Sequence, residues 1–143
     1  MTSVERIKER VKHLHERIER LRIFQKTPQN DYLTDWFLQD AVERNFQVAI
    51  ECCTDIAAYL IAVHGLKQPA ERRGVFHVLS QAGWLDEDFA DTMAQAVSLR
   101  NRLVHLYTTV EADKMYHYLQ NDLAHFERFE AFALAAIDQI RTE

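Results

Sequence analysis

The sequence predicts an all-α fold, an antiparallel bundle of about five helices, on the basis of composition and periodicity. The 143-residue chain is 48% hydrophobic and 27% charged, with only three glycines and two prolines, which is typical of a globular, helix-rich protein. Its apolar residues recur at steps of three and four, and no alternating strand pattern or internal repeat is present. The length suits a single helical domain, which we expect to cover residues 1–143.

The first predicted helix begins near Val4 and is the clearest in the chain. Its apolar stripe consists of Val4, Ile7, Val11, Leu14, Ile18 and Leu21. Charged residues fill the remaining faces, and several opposite charges lie four residues apart. We interpret these faces as solvated surface with weak ion pairs rather than as a nucleic-acid-binding stripe.

A second, long helix is predicted from about Asp31 to His64, with Gly65 ending it. Apolar residues surround this helix on more than one side, as in a helix at the centre of a bundle or shared with a second subunit. Glu51 is the exception within its apolar run. A carboxylate there either reaches solvent or needs a partner, and we hypothesise that it pairs with Arg100 or Arg102.

Two further helices follow. Pro69 suits the first turn of a short helix that runs to Ala82, before Gly83. The fourth helix has Asp86–Asp88 at its N-terminal end, where negative charge favours the helix dipole. Its predicted core stripe consists of Phe89, Met93, Ala96, Val97, Leu99 and Leu103.

The last predicted helix starts at a capping box. Thr108-Thr109-Val110-Glu111 has the Thr-x-x-Glu form in which a threonine hydroxyl and a glutamate satisfy each other's backbone N–H groups. The helix then continues to Ile140. Its predicted core positions are Met115, Leu119, Leu123, Phe126, Phe129, Phe132, Leu134, Ile137 and Ile140.

Charge and cysteine content exclude several classes of protein. The net charge of −5 and the pI of about 5.8 speak against indiscriminate binding to nucleic acid or to an anionic membrane. A polyanion would need a local basic patch, for which we expect Arg72, Arg73, Arg100 and Arg102 to cluster, with Lys67 as a further candidate. The adjacent Cys52 and Cys53 form no disulfide framework, the charged N-terminus is not a secretory signal, and no uncharged run is long enough to span a membrane. We therefore expect a cytoplasmic protein without a membrane partner.

Metal and cofactor sites are not expected. Di-iron bundles need two Glu-x-x-His pairs from facing helices, and the nearest match is a single Asp122-Leu123-Ala124-His125. The sequence also has no glycine-rich phosphate loop, dinucleotide fingerprint or nucleophile elbow. Cys52 and Cys53 are interpreted as small buried residues rather than nucleophiles.

The segment Arg100–Tyr107 carries the densest set of reactive side chains. A histidine such as His105 can move a proton from a 2′-hydroxyl or to a leaving oxygen, and Arg100 offers a charged planar fork to a phosphate. Asn101 would hold the phosphate or orient the imidazole, so the set suits cleavage of RNA without a metal. The alternative is that Arg100 and Arg102 form structural ion pairs and that His105 only caps the helix.

Helical geometry limits this interpretation. On a continuous helix, Arg100 and His105 point about 140° apart. They converge only if the helix ends near His105 or if a two-fold partner supplies the second group.

The motif resembles that of a known superfamily. Arg100, four intervening residues, His105, one residue and Tyr107 are similar to the Arg-x(4–6)-His-x-Tyr motif of HEPN proteins, and Asn101 fits it. Two neighbouring stretches, Ala49–Ala57 and Val78–Gly83, resemble the HepT family of toxins, and the similarity covers nearly the whole chain.

The resemblance implies an all-helical homodimer whose two motifs face each other and form a metal-independent ribonuclease. It also implies a nucleotidyltransferase antitoxin of the MntA type that transfers AMP to the motif tyrosine, here Tyr107. The long second helix and the motif helix are the expected dimer interface because of their excess apolar surface. Two alternatives remain: a non-catalytic HEPN subunit that binds a nucleotidyltransferase, and a purely structural helical adaptor.

Overall fold

The computed structural model describes residues 1–105 and 109–142, and within them it contains α-helices and no strands. The predicted all-α class is confirmed. The elements are α1 (Ser3–Phe24), α2 (Gln29–Leu33), α3 (Trp36–Val63), a 3₁₀ turn (Arg72–Gly74), α4 (Val75–Gln81), α5 (Glu87–Val104), α6 (Ala112–Asn121) and α7 (Leu123–Thr142). The organisation of residues 1–143 as one domain stays a prediction.

Helix α1 forms as predicted, with a capping box at its start. The Thr2 hydroxyl accepts a hydrogen bond from the Glu5 backbone at 3.1 Å, and the Glu5 carboxylate accepts one from the Thr2 backbone at 2.8 Å. The apolar stripe is buried from Ile7 to Leu21. It packs against α3 and α7, so α1 forms one wall of the bundle.

The second predicted helix is two helices, so the prediction of one continuous element was wrong there. The break falls at Thr34 and Asp35. The Asp35 carboxylate accepts a hydrogen bond from the Leu38 backbone at 3.1 Å and so caps α3. The Thr34 hydroxyl donates to the Asn30 carbonyl at 2.8 Å, which closes α2. The predicted end is confirmed, because Gly65 has a φ of 67°.

Two predicted helix starts were also wrong. The helix placed at Pro69 begins only with the 3₁₀ turn, because Gln68 donates to the Ala58 carbonyl at 2.9 Å and holds the connection against α3. The last helix begins at Ala112, with Glu111 in extended conformation as its N-cap, so Glu111 is not the third residue of a capping box. Thr108, the predicted cap, lies outside the described residues.

The last predicted helix is also divided. The Asn121 amide donates to the His117 carbonyl at 2.8 Å and competes with the helical hydrogen bonds, so α6 ends there and α7 begins at Leu123. Most of the predicted core positions are buried. Leu134 is not, since it is 50% exposed, and Ala133 takes the inward position.

Helix α3 lies at the centre of the fold and contacts α1, α4, α5 and α7. By length and composition it could cross a membrane, but 56% of its most apolar stretch is buried inside the fold. Its buried residues belong to the same core cluster as those of α5, which fixes the position of the motif helix against Glu51.

Candidate active site

Helix α5 holds the motif residues at its C-terminal end. Its buried face, including Phe89, Met93 and Val97, is packed into the core. Arg100 and Asn101 lie near its last turn, and the helix ends at Val104. His105 follows in extended conformation, with φ of −85° and ψ of 124°. The helix therefore ends one residue before His105, which meets the first of the two conditions under which Arg100 and His105 could converge.

Arg100 is paired with Glu51 of α3. Its Nη2 lies 3.4 Å from Glu51 Oε2, and its Nη1 donates to Asn101 Oδ1 at 3.2 Å. The other Glu51 oxygen accepts from the Gln47 amide at 2.9 Å. This confirms the hypothesised pairing of Glu51 with Arg100, whereas Arg102 donates to the Thr109 carbonyl at 3.4 Å.

The Arg100 side chain retains unused donor capacity. About a third of the side chain is exposed. Its Nε is buried without a hydrogen-bond partner among the described residues. A partly exposed guanidinium that is held by one long ion pair is suited to a second anionic partner, which would bind its exposed part rather than the buried Nε.

A cleft of about 620 Å³ opens beside this pair, between α3, the 3₁₀ turn and α5. Its charged lining residues are Glu51, Asp55, Glu71, Arg72, Arg73 and Arg100, and its uncharged ones are Thr54, Val97, Ser98 and Asn101. The predicted clustering of Arg72, Arg73 and Arg100 is confirmed, but Arg102 and Lys67 do not line the cleft. Three carboxylates balance the three guanidinium groups, so the cleft is neither strongly basic nor acidic.

His105 is exposed and does not line the Arg100 cleft. Its backbone N–H donates to the Arg102 carbonyl at 3.4 Å. Tyr107 lies outside the described residues. The structure thus brings together Arg100, Asn101 and Glu51, and it places His105 at the end of the same helix.

Four polar cleft residues, Thr54, Asp55, Glu71 and Ser98, were not identified from the sequence. Asp55 follows Glu51 by one helical turn, so the same face of α3 carries both carboxylates, a spacing that could have revealed it. Glu71 and Ser98 had no comparable signal, because their position depends on how the 3₁₀ turn packs against α5.

The two thiols are unsuited to nucleophilic chemistry. Cys52 and Cys53 are both buried, as predicted. Burial raises the pKa of the Cys52 thiol to about 11 and raises that of Cys53 well above its ordinary value. Among residues 1–105 and 109–142, no group of three or more His, Cys, Asp or Glu side chains is placed to hold a metal ion.

Comparisons with known proteins identify one family of ribonucleases. The family model described as "Ribonuclease HepT-like" matches residues 14–131. The mRNA nuclease HepT of Shewanella oneidensis is 32% identical over 114 residues, which are 80% of each chain.

Solved structures with a similar fold include toxins of toxin–antitoxin complexes. A tri-AMPylated Shewanella oneidensis HEPN toxin in complex with MNT antitoxin superposes with a TM-score of 0.85 at 28% identity, over 94% of this chain and 99% of the other. A mutant form of the toxin–antitoxin MntA–HpeT gives a TM-score of 0.83 at 28% identity, over 90% and 98%.

Proposed function

This chain belongs to the HepT-like ribonuclease family, and on that premise we propose that it is a metal-independent ribonuclease toxin neutralised by a nucleotidyltransferase antitoxin. The observation that carries the proposal is the position of Arg100 and Asn101 beside an open cleft, with His105 at the end of the same helix. The relative named mRNA nuclease HepT supports RNA as the substrate. Activity in a cytoplasmic setting, where RNA is available, is part of the proposal.

The proposed reaction is transesterification within the RNA chain. His105 takes the proton of a 2′-hydroxyl, and the 2′-oxygen then attacks the neighbouring phosphorus. The bond from phosphorus to the 5′-oxygen breaks, and that oxygen takes up a proton. The products are a 2′,3′-cyclic phosphate and a 5′-hydroxyl end.

Arg100 would stabilise the charge that builds up on the phosphate. Its guanidinium already contacts one anion, Glu51, and about a third of the side chain is exposed, so a phosphate in the cleft can bind the exposed part. Asn101 accepts a hydrogen bond from Arg100 and holds it in orientation. Glu51 and Arg102 have supporting roles, since Arg102 links α5 to the residue that follows Tyr107 and Thr108.

A homodimer completes the site in this proposal. One histidine per chain must serve as both base and acid unless a second copy supplies its own His105. Leu99 and Leu103 of α5 are half-buried and Val104 is 40% exposed, which leaves apolar surface beside the motif. Facing motifs from two copies would bury this surface and bring two histidines to one cleft.

Neutralisation is assigned to Tyr107. The similar toxins in the solved complexes carry AMP or are bound to MNT or MntA antitoxins, and Tyr107 is the motif tyrosine of this chain. AMP on this tyrosine, two residues from His105, would add a phosphate that competes with RNA for Arg100. Inhibition would then need no unfolding.

A second candidate function is a non-catalytic subunit that only binds a nucleotidyltransferase. The equal number of carboxylates and guanidinium groups in the cleft favours it, because RNA would meet no net positive charge there.

The test uses purified, unmodified protein, total RNA, an MntA-type nucleotidyltransferase and ATP. The ribonuclease proposal expects RNA cleavage that is lost when the mass increases by one or more AMP units, and it expects Tyr107→Phe to cleave RNA without accepting AMP. AMP transfer to a protein that never cleaves RNA would instead support the non-catalytic subunit.

A further inference from the structure

One face of α1 carries basic residues at helical spacing. Arg6, Arg10, His13, Arg17 and Arg20 follow each other at steps of four, three, four and three residues. This spacing keeps all five within an arc of about 80° on the helix surface, and the row extends about 21 Å along the axis. All five side chains are exposed or half-buried.

The arginines of this row do not form the ion pairs expected from the sequence. Within α1, the carboxylate partners belong to histidines, His13 with Glu16 and His15 with Glu19. Among the part of the chain that the structure describes, neither Arg6 nor Arg20 has an ion pair. The charged faces of α1 are solvated, as expected, and their ion pairs within the helix form at histidines rather than at the arginines of this row.

The middle of the row is crowded with like charges. Arg17 donates to Asn45 at 3.2 Å rather than to a carboxylate. Burial, followed by the charges of Arg20 and Arg44, lowers the pKa of Arg17. Arg17 and Arg20 lie one helical turn apart, where like charges are unfavourable, and Glu16 offsets only part of this repulsion, so stability does not account for their arrangement.

The row is continuous with the cleft at Arg100. Asp55 binds Arg10 at 3.1 Å and Arg72 at 2.5 Å, which joins α1 to the 3₁₀ turn. Arg72 lines the same cleft as Arg100. On the other side of Arg10, a groove of about 320 Å³ contains Arg6, Glu9 and Tyr59.

The arginines are concentrated on one surface although the chain as a whole is acidic. The net charge is −5, yet eight of the arginines fall along one connected surface. We call this surface the arginine path: Arg6, Arg10, Arg17, Arg20, Arg44, Arg72, Arg73 and Arg100. The carboxylates one helical turn from these arginines or in the cleft are Glu9, Glu16, Asp40, Glu51, Asp55 and Glu71. The eight guanidinium groups therefore outnumber the carboxylates along the path, whereas the numbers are equal in the cleft alone.

We propose that the arginine path binds the backbone of single-stranded RNA and leads it into the cleft at Arg100. Guanidinium groups bind phosphates through paired hydrogen bonds, and Tyr59 offers a ring for stacking with a base. The path supplies the net positive charge that the cleft lacks. The inference rests on the proposed ribonuclease function and adds a binding site for RNA outside the catalytic cleft.

The experiment measures binding to a labelled single-stranded RNA long enough to cover the row, in a His105→Ala background that leaves the RNA intact. The test variant combines Arg20→Gln with Arg44→Gln, and the matched control combines Lys8→Gln with Lys12→Gln on other exposed faces of α1. If both arginines contact phosphates, the test variant weakens binding by roughly 10-fold at physiological salt and lowers the salt slope by about 1.4. The lysine control leaves both quantities nearly unchanged.

Two further measurements separate the inference from the function it rests on. Because Arg20 and Arg44 repel Arg17, the test variant is expected to unfold at an unchanged or higher temperature. With His105 intact, it should cleave a short oligonucleotide that occupies only the cleft at the wild-type rate.

If the wild type cleaves RNA and all variants bind RNA equally, the arginine path does not bind RNA, but the proposed ribonuclease function is unaffected. A test variant that changes the oligomeric state instead of RNA affinity would also overturn the path, by showing the face to be an interface between proteins. If the wild type neither binds nor cleaves RNA, both the arginine path and the proposed ribonuclease function are contradicted.

Discussion

Arg100 and Glu51 face each other across the cleft between α5 and α3, with 3.4 Å between Nη2 and Oε2. Each side chain is about a third exposed, so the pair is worth at most about 1 kcal/mol to stability. The pair instead fixes the orientation of both side chains, because Glu51 also accepts a hydrogen bond from Gln47 and Arg100 also donates one to Asn101. Arg100 is thus positioned while part of its donor capacity stays unsatisfied.

Replacing Glu51 should separate binding from catalysis. Glu51→Gln removes a negative charge that competes with the RNA phosphate, so KM should fall, while the less restrained Arg100 should lower kcat. The free energy of unfolding should change by less than about 1 kcal/mol. Steady-state cleavage and denaturant unfolding of both proteins check this, and an unchanged kcat would show that Glu51 does not position Arg100.

Arg100→Lys should abolish most activity although it keeps the charge. Lysine offers no planar fork, so kcat should fall by about 100- to 1,000-fold. Arg22→Lys is the matched control, since Arg22 of α1 lies outside the cleft and pairs with Glu127 of α7. Cleavage rates of the two variants decide the point, and an active Arg100→Lys enzyme would mean that charge alone suffices.

The sequence was informative where a local conflict narrowed the alternatives. Glu51 in an apolar run was expected either to reach solvent or to pair with a basic residue, and it does both, since it is about a third exposed and pairs with Arg100. The sequence predicted helix interiors by periodicity, but it missed the breaks at Asp35 and Asn121. There, a single side chain competes with the backbone hydrogen bonds, an effect of the same size as helix propensity.

Other features depend on packing that periodicity does not specify. Leu134 fits the apolar period, but the direction of α7 after Asp122 turns it outward and Ala133 inward. The alignment of the α1 arginines with the cleft depends on how α1 lies against α3. Opposite charges at helical spacing suggested ion pairs within α1, which form at His13 and His15 but not at the arginines of the row. The position of Tyr107 stays a prediction.

Stability should depend on pH through His15. Its Nδ1 lies 2.8 Å from Glu130 and its Nε2 lies 2.9 Å from Glu19, and the hydrogen bond to Glu130 is the main cause of its raised pKa. A raised folded pKa stabilises the fold below the unfolded pKa of about 6.5, and this contribution is lost as pH rises through the folded value. Denaturant unfolding of wild type and His15→Gln should therefore differ most below about pH 6.5, by less than about 1 kcal/mol because the ring is exposed. A difference that grows with increasing pH would contradict this assignment.

Both thiols should be unreactive in the folded protein. Burial keeps Cys52 and Cys53 protonated at neutral pH, with the pKa of Cys52 at about 11. Intact mass after treatment with iodoacetamide should show no adduct on the native protein and two adducts after denaturation. Alkylation of the native protein at the denatured rate would mean that the α3 surface opens.

The central claim is tested most directly by cleavage of RNA in excess EDTA by the wild type and by His105→Ala. Intact mass must show that Tyr107 carries no AMP, and circular dichroism must show both proteins folded. We predict that the wild type cleaves, leaving 2′,3′-cyclic phosphate ends, and that His105→Ala does not. Equal cleavage by both proteins, or no cleavage by a clean and unmodified wild type, would contradict a ribonuclease built on this motif.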